Sequence, residues 1–500
     1  MKVYLIGAGP GDPGLFTLRG KEVLGKADVV VYDHLVNHDV LQWARPDAEL
    51  IYAGKKAGDH ALPQVAINEL LVQKAREGKL VARLKGGDPY IFGRGGEEAE
   101  ELLDAGVEFE EVPGISSAIA GPAYAGIPLT HRAFASAVTL ITGHEDPDKP
   151  ASAHDWKALA AGAGTLVFVM GMKNLPEIAR KLMEAGLPAD TPAALVHWGT
   201  TPRHRSLTST LEKLPQEAAA QGFTNPSLIV VGGVVSLHGR LNWFEKKPLL
   251  GRGIVVTRAR EQASGLANML AELGAEVIQF PTIRISPLAD YSEADARIAR
   301  LDEYDWLIFT SVNGVKHFWR RLASCGKDSR ALGGCRAAAI GPATADELRA
   351  RGVEPDFIPG KYVAESVAEG LTALGVAGKR ILAPRAKEAR EVLPDELRKA
   401  GATVDVLPSY ETLPANARRE EVLELLREGR IHCVTFGSSS TVDNFLSLIP
   451  AAVLREHPQT KLAAIGPITR KTLERHGLEC HIMPEAYTIP ALVESLKKAL

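Results

Sequence analysis

The sequence predicts an α/β protein of two large units, and three observations carry that reading. At 500 residues the chain is too long for a single core, so more than one domain is required. Short apolar runs at 3–6, 27–32, 165–170, 192–196 and 228–235 alternate with helical stretches such as 64–77 and 96–106, the pattern of an α/β fold. The pattern lapses between Leu237 and Arg252, where Lys246, Lys247, Pro248 and Gly251-Arg252-Gly253 collect, and resumes as the strand Ile254-Val255-Val256-Thr257. The boundary between the units therefore falls near 246–251.

Duplication marks the second unit. Ala339-Ile340-Gly341-Pro342-Ala343-Thr344 recurs as Ala464-Ile465-Gly466-Pro467-Ile468-Thr469. Phe309-Thr310-Ser311 echoes Phe436-Gly437-Ser438, and Arg258-Ala259-Arg260-Glu261 echoes Arg385-Ala386-Lys387-Glu388. Two similar α/β lobes follow from such a repeat, with a ligand cleft expected between their loops.

An apolar content of 45% and a charged content of 24% are those of a soluble globular chain. The net charge of −3 excludes a general pull toward nucleic acid or an anionic membrane surface. No apolar run reaches the ~18–20 residues of a membrane helix, and Met1-Lys2 leads directly into a strand, so neither a membrane span nor a signal peptide is expected. Cys325, Cys335, Cys433 and Cys480 show no C-x-x-C spacing. They read as reduced thiols of a cytoplasmic protein, with neither disulfides nor a metal site expected.

Gly9-Pro10-Gly11-Asp12-Pro13-Gly14, just after the first strand, fits the G-x-G-x-x-G dinucleotide fingerprint, and Asp33 follows the second strand where that fingerprint wants an acid. The prolines argue against it. A pyrophosphate loop works through free backbone N–H groups, and Pro10 and Pro13 have none. The loop reads instead as a stiff wall against a ligand. Further on, Gly86-Gly87-Asp88-Pro89 with Phe92-Gly93-Arg94-Gly95 allows close backbone approach, Asp88 being a ligand acceptor or a turn former. Val112-Pro113-Gly114-Ile115-Ser116-Ser117-Ala118 starts a helix with serine at its cap, and Ala125-Gly126-Ile127-Pro128-Leu129-Thr130-His131-Arg132 follows.

In this order, and with Val31-Tyr32-Asp33-His34-Leu35-Val36, these segments resemble the tetrapyrrole methylases, and among them uroporphyrinogen III C-methyltransferase, over residues 1–246. The resemblance implies a two-lobed unit holding S-adenosylmethionine. Its ligand positions fall on Pro10, Gly86, Gly87, Asp88, Ile91, Ser116, Ser117, Met170 and Gly199. Ser116-Ser117 stands where the family more often has Thr-Ala. The acid/base positions fall on Asp33 and Lys55. Attack of a pyrrole carbon on a sulfonium methyl leaves a cationic ring that must lose a proton, which suits a carboxylate. The implied substrate carries eight carboxylates, so Arg83, Arg94, Arg132, Arg203 and Arg205 are candidate partners for them.

Residues 251–500 carry a second ordered set: Val256-Thr257-Arg258-Ala259, the repeats above, and Pro408-Ser409-Tyr410-Glu411-Thr412. The set resembles uroporphyrinogen III synthase. That resemblance implies a two-lobed α/β unit, lobe one about 251–285 plus 412–500 and lobe two about 286–411. It implies closure of hydroxymethylbilane with loss of water, Tyr410 assisting departure of the hydroxyl. Thr344, Ser438 and Thr469 would face the cleft, although helix capping explains such hydroxyls equally. Arg258, Arg260, Arg385 and Lys387 are candidates for substrate carboxylates. Together the resemblances imply a bifunctional enzyme of sirohaem or cobalamin synthesis giving precorrin-2, homodimeric through its first unit. The alternatives are an NAD-dependent oxidoreductase, or a methylase of another corrin carbon fused to a two-lobed binding module.

Overall fold

A computed structural model describes residues 2–54, 62–144, 154–162, 164–257, 260–389, 391–414 and 418–500. The chain divides into two compact units, Met1–Ile254 with Asn268–Val277 and Lys497–Leu500, and Val255–Ala267 with Ile278–Leu496. The fold is α/β throughout, as the alternating sequence pattern requires.

The first sheet contains β1 (Lys2–Gly7), β2 (Val29–Tyr32), β3 (Glu49–Tyr52), β4 (Leu80–Lys85) and β5 (Glu108–Val112), all parallel in the order β3-β2-β4-β1-β5. Val3, Leu5, Val29 and Val31 pack on one face and Ile6, Val30 and Leu84 on the other. Burial on both faces explains why these strands read as continuous apolar runs. The chain leaves β2 outward to β3 but leaves neighbouring β4 over β1 to β5. The loops after β2 and β4 therefore diverge, and a crevice opens outside their carboxyl ends. Asp33 and Gly86 are the first residues of those two loops.

The second sheet contains β6 (Val138–Thr142), β7 (Thr165–Val169), β8 (Pro192–His197), β9 (Arg205–Thr210) and β10 (Ser227–Val231), ordered β6-β7-β10-β8-β9. Only β6 and β7 pair in parallel. The apolar run 228–235 is not one strand: it stops at Val231, Gly232 takes φ 141°, and Gly233–Leu237 coils as a 3-10 turn.

The rest of the chain supplies β11 (Gly253–Val256), β12 (Glu276–Gln279), β13 (Ile283–Ser286), β14 (Trp306–Phe309), β15 (Arg336–Ala339), β16 (Arg380–Ala386), β17 (Thr403–Pro414), β18 (Ile431–Phe436) and β19 (Lys461–Ala464). They form sheets ordered β12-β11-β18-β19 and β13-β17-β16-β14-β15. The chain passes between these sheets twice, after Gln279 and after Pro414, and antiparallel β13 and β17 carry both passages. The sequence repeat is a structural repeat. The Ile340 N–H donates to the Phe309 carbonyl and the Ile465 N–H to that of Phe436, each at 3.0 Å. Gly341 and Gly466 cap the helices Pro342–Arg349 and Pro467–Arg475, with proline in the first turn, where its missing N–H costs nothing.

Glycine decides how closely the carboxyl ends of β1, β4 and β5 converge. A Cβ on Gly114 would lie 2.2 Å from the Gly87 oxygen and 2.6 Å from the Gly7 Cα. Both neighbours are backbone and cannot yield. Gly114→Ala is therefore expected to cost about 3 kcal/mol or more of stability, read by urea denaturation; a loss under ~0.5 kcal/mol would contradict this packing.

Candidate functional site

The first loop is closed on itself and on its neighbours. The Ala8 N–H donates to the Lys85 carbonyl at 2.7 Å, and Gly9 and Gly87 exchange backbone bonds at 3.1 and 2.7 Å. The Asp12 N–H donates to Thr200 Oγ1 at 3.3 Å and the Gly14 N–H to Asp12 Oδ1 at 2.7 Å. Asp12 Oδ2 accepts the Tyr124 hydroxyl at 2.7 Å, so the loop is clasped to the segment after β8 and to the helix Ser117–Tyr124. These N–H groups are committed, and the Asp12 carboxylate caps the turn Pro13–Leu15. A pyrophosphate would meet a negative charge where it needs a helix N-terminus and open donors.

Asp88 organises the next wall. Its Oδ1 accepts the Tyr90 and Ile91 N–H groups at 2.9 and 3.1 Å, and its Oδ2 accepts Gly114 N–H at 3.0 Å. The carboxylate is buried, so it reaches a ligand through the backbone it shapes. Ser116 is likewise buried, its hydroxyl accepting the Ala118 N–H as the cap of the helix Ser117–Tyr124, while Ser117 is exposed. Gly87, with φ 73°, lies against the Ser116-Ser117 backbone. Pro10, Gly86–Asp88, Ile91, Ser116, Ser117 and, through Thr200, Gly199 thus belong to one cluster of loops. Met170 follows the last residue of β7 with its side chain half exposed.

Backbone strain concentrates in these loops. Phe92, Arg94, Met170, Trp198 and Thr200 all have positive φ, between 46° and 70°. Among the described non-glycine residues only Arg418 shares that property. Such strain persists where the surrounding structure holds it for a purpose. With Ile91 and Met170 partly exposed, the walls are largely apolar and uncharged. That donor set fits an adenosyl group and a sulfonium better than a diphosphate.

Behind the crevice lies a buried charge cluster. Arg83 reaches Asp33 Oδ1 at 2.7 Å with one guanidinium nitrogen and Glu98 Oε1 at 3.2 Å with another. Lys85 Nζ lies 2.6 Å from the same Glu98 oxygen, and Gln64 donates to it at 3.1 Å. Arg83, Lys85 and Glu98 are at most 3% exposed, whereas the Asp33 side chain is 31% exposed. Burial, and then the Arg83 charge, pull the Lys85 ammonium below its ordinary pKa. This corrects the expectation for Arg83: it is spent on Asp33 and Glu98 inside the protein and is not available to a substrate carboxylate. Glu98 and Lys85 were not singled out by sequence, although two basic residues on one face of an apolar strand demand a buried acid. Arg94 pairs with Glu97 at 2.6 Å, Arg132 is exposed, Arg203 stacks on Trp198, and Arg205 covers Phe223. Lys55 and Arg258 lie outside the described residues.

In the second half, Tyr410 is 6% exposed and its hydroxyl meets Ser311 Oγ at 3.2 Å. Ser311 caps the helix Val312–Ser324, and burial raises the Tyr410 phenol above its usual pKa. Thr344 and Thr469 are each 4% exposed, and their hydroxyls take no partner among the described residues; glycine, not threonine, provides those caps. Ser438 behaves differently: it caps the helix Ser439–Leu448 in a reciprocal box with Thr441. Arg385 is buried and paired with Glu391, which leaves it poorly placed to grip a substrate.

Two family models match the chain: Tetrapyrrole (Corrin/Porphyrin) Methylases over 2–215, and Uroporphyrinogen-III synthase HemD over 264–494. The chain belongs to the proteins that fuse these two families, a tetrapyrrole methylase first and a uroporphyrinogen-III synthase second. It is 38% identical over 498 residues to the porphyrin biosynthesis protein HemD of Ruminiclostridium josui, covering 99% of this chain and 97% of the relative. It is 51% identical over 246 residues to a uroporphyrinogen-III C-methyltransferase of Bacillus subtilis (strain 168), covering 49% of this chain and 95% of that one. Among solved structures, a uroporphyrin-III C-methyl transferase of Thermus thermophilus complexed with S-adenyl homocysteine matches with 39% identity and a TM-score of 0.40, over 47% of this chain and all of that chain.

The Asp88 arrangement predicts that Asp88→Asn, which turns one acceptor into a donor facing an N–H, costs about 1–3 kcal/mol of stability in urea denaturation. An unchanged transition would contradict the anchoring role.

Proposed function

We propose that the chain is a bifunctional enzyme of sirohaem or cobalamin synthesis. Its second half, 251–500, closes hydroxymethylbilane to uroporphyrinogen III. Its first half, 1–246, methylates that product at C2 and C7 to give precorrin-2. The observation that carries the first activity is Asp33: a carboxylate at the mouth of a strand-end crevice, one oxygen held by buried Arg83, beside loops whose apolar walls suit S-adenosylmethionine. The cofactor, when bound, supplies an electrophilic methyl group.

Asp33 takes the proton that the methylated pyrrole ring must lose, while Arg83 fixes its orientation. The backbone at Gly86–Asp88 and Ser116–Ser117, with Pro10, Ile91, Met170 and Gly199, holds the cofactor. Lys55 is the second acid/base group, and Arg94 and Arg132 meet substrate carboxylates. In the second half Tyr410 assists departure of the hydroxyl, which leaves as water. Thr344 and Thr469, buried residues whose hydroxyls take no partner among the described residues, position the open chain. Ser438 contributes there through the helix start it caps. The bilane carries its own electron push, so holding it folded and stabilising a cation suffices.

The synthase half would comprise lobes at about 251–285 plus 412–500 and about 286–411. No described helix is long and apolar enough to cross a membrane. A cytoplasmic setting is supported by four cysteines that stay free thiols. A homodimer through the first half is supported by apolar side chains it leaves exposed, Leu18, Ile119 and Phe134 among them.

Incubating the full chain with hydroxymethylbilane and S-adenosylmethionine is expected to yield a dimethylated type III product and two S-adenosylhomocysteine per ring, read by mass spectrometry. Accumulation of unmethylated uroporphyrinogen III would overturn the first assignment. Accumulation of uroporphyrinogen I would overturn the second.

A further inference from the structure

Glu98 is a carboxylate with no exposed surface, and only one of its oxygens is used. Oε1 receives Arg83, Lys85 and Gln64, while Oε2 has no partner. An ionised group in that position is costly unless nearby charges balance it. The balance extends to the crevice, because the Arg83 guanidinium spans the distance from Glu98 to Asp33. Two acids and two bases then sum to zero, with three of the four groups inside the protein. Only Asp33 meets solvent. One of its oxygens is occupied by Arg83, and the other takes no partner among the described residues.

We propose that Glu98 and Lys85 are positioning residues for methyl transfer. Through Arg83 they set the charge seen by Asp33 and hold it as an acceptor with one oxygen presented. The inference rests on the reading of Asp33 given above. Neither residue touches the crevice; both act through the guanidinium between them and Asp33. Among the described residues the charged and titratable groups around Asp33 are few, and Tyr32 precedes it on β2, packed against Tyr52. On β4 they are Arg83 and Lys85. The helix Gly95–Asp104 contributes Glu98, and Glu97 influences Lys85 from one residue away. On β3, Tyr52 feels the Asp33 charge, and its hydroxyl lies 3.3 Å from Nδ1 of His34, the residue after Asp33. Lys85 feels the Asp33 charge as well as that of Glu98, so the four groups form one electrostatic unit.

The proposal has a signature that a purely structural role lacks. The acid limb of kcat/KM against pH reports the pKa of the essential base in the free enzyme. Glu98→Gln removes a negative charge and leaves Arg83 and Lys85 in excess. The Asp33 carboxylate is then favoured, and the acid limb moves to lower pH. Lys85→Met removes a positive charge and leaves Glu98 in excess. The protonated form of Asp33 is then favoured, and the limb moves to higher pH. Each shift is expected to be about 1 pH unit. The double variant restores neutrality and returns the limb to its starting position. Lys85→Arg keeps the charge and leaves the limb in place, so charge is separated from shape.

Methyl transfer to uroporphyrinogen III is measured across pH for the full-length variants, each checked for a cooperative melt and for S-adenosylhomocysteine affinity by calorimetry. Opposite shifts in the single variants, cancelled in the double, are the expected result. Limbs that stay in place, or that move in the same direction, would overturn the proposal. If Glu98→Gln does not fold, Lys85→Met against Lys85→Arg still decides: a rise in the first alone supports the proposal, and equal limbs overturn it. Asp33→Asn separates this failure from a failure of the underlying reading. An Asp33→Asn enzyme that keeps the wild-type rate and acid limb overturns Asp33 as the base. An inactive one, combined with unmoved limbs in the other variants, overturns only the role of Glu98 and Lys85.

Discussion

The first half is organised by the convergence of three strand ends, those of β1, β4 and β5, at a spacing only glycine permits. Gly7, Gly87 and Gly114 touch backbone to backbone, and the buried Asp88 carboxylate ties the β4 loop to the β5 loop. Once those ends are fixed, the rest follows in sequence. The Gly9–Gly87 bridge closes the first loop, Asp12 is clasped by Tyr124 and Thr200, and the start of the helix Ser117–Tyr124 is set beside Gly87. A floor made of backbone leaves few side chains for ligand chemistry, and those that remain are strained or apolar. This is the arrangement of a site that selects by shape and orientation.

The charge cluster beneath that floor uses a different principle. Burying three ionised groups within a few ångströms is not a route to stability, since an apolar replacement of the same volume is often as stable or more so. Such a cluster is better understood as a device for fixing one exposed carboxylate at a known charge and angle. Around Tyr410 the described groups differ: its hydroxyl meets Ser311, its ring lies 5.1 Å from that of His317, and the buried Arg385 on the neighbouring strand pairs with Glu391. The contrast matches the two reactions. Methyl transfer leaves a proton to be removed, whereas ring closure needs a flexible chain folded and a transient cation tolerated.

Much of the architecture was legible. The alternation of apolar runs and helical stretches foretells α/β layers, and the Gly-Pro repeat foretells two equivalent strand-to-helix turns, because proline in the first turn and glycine at the cap have direct backbone meanings. Strands β3, β5, β6 and β9 escaped notice because polar residues interrupt their apolar positions. The run 228–235 misled because apolar residues continue past Gly232, where only the backbone turns. At the site, motif order was informative where single residues were not. Asp88 reads in sequence as either a ligand acceptor or a turn former, and three N–H groups claim it. Arg83 looks like a surface grip for carboxylates, yet the strand turns it inward. Both outcomes depend on which face of a strand or loop meets the core, and that is decided by partners distant in sequence, Glu98 and Gly114 among them.

With its N–H groups committed and Asp12 at its turn, the closed first loop suits an S-adenosylmethionine site and not a dinucleotide site. Calorimetric titration of the full chain with S-adenosylhomocysteine, and separately with NAD and NADH, tests it directly. One S-adenosylhomocysteine is expected to bind per chain, with no heat of binding for either nicotinamide nucleotide. Saturable binding of NAD or NADH, with none for S-adenosylhomocysteine, would contradict it.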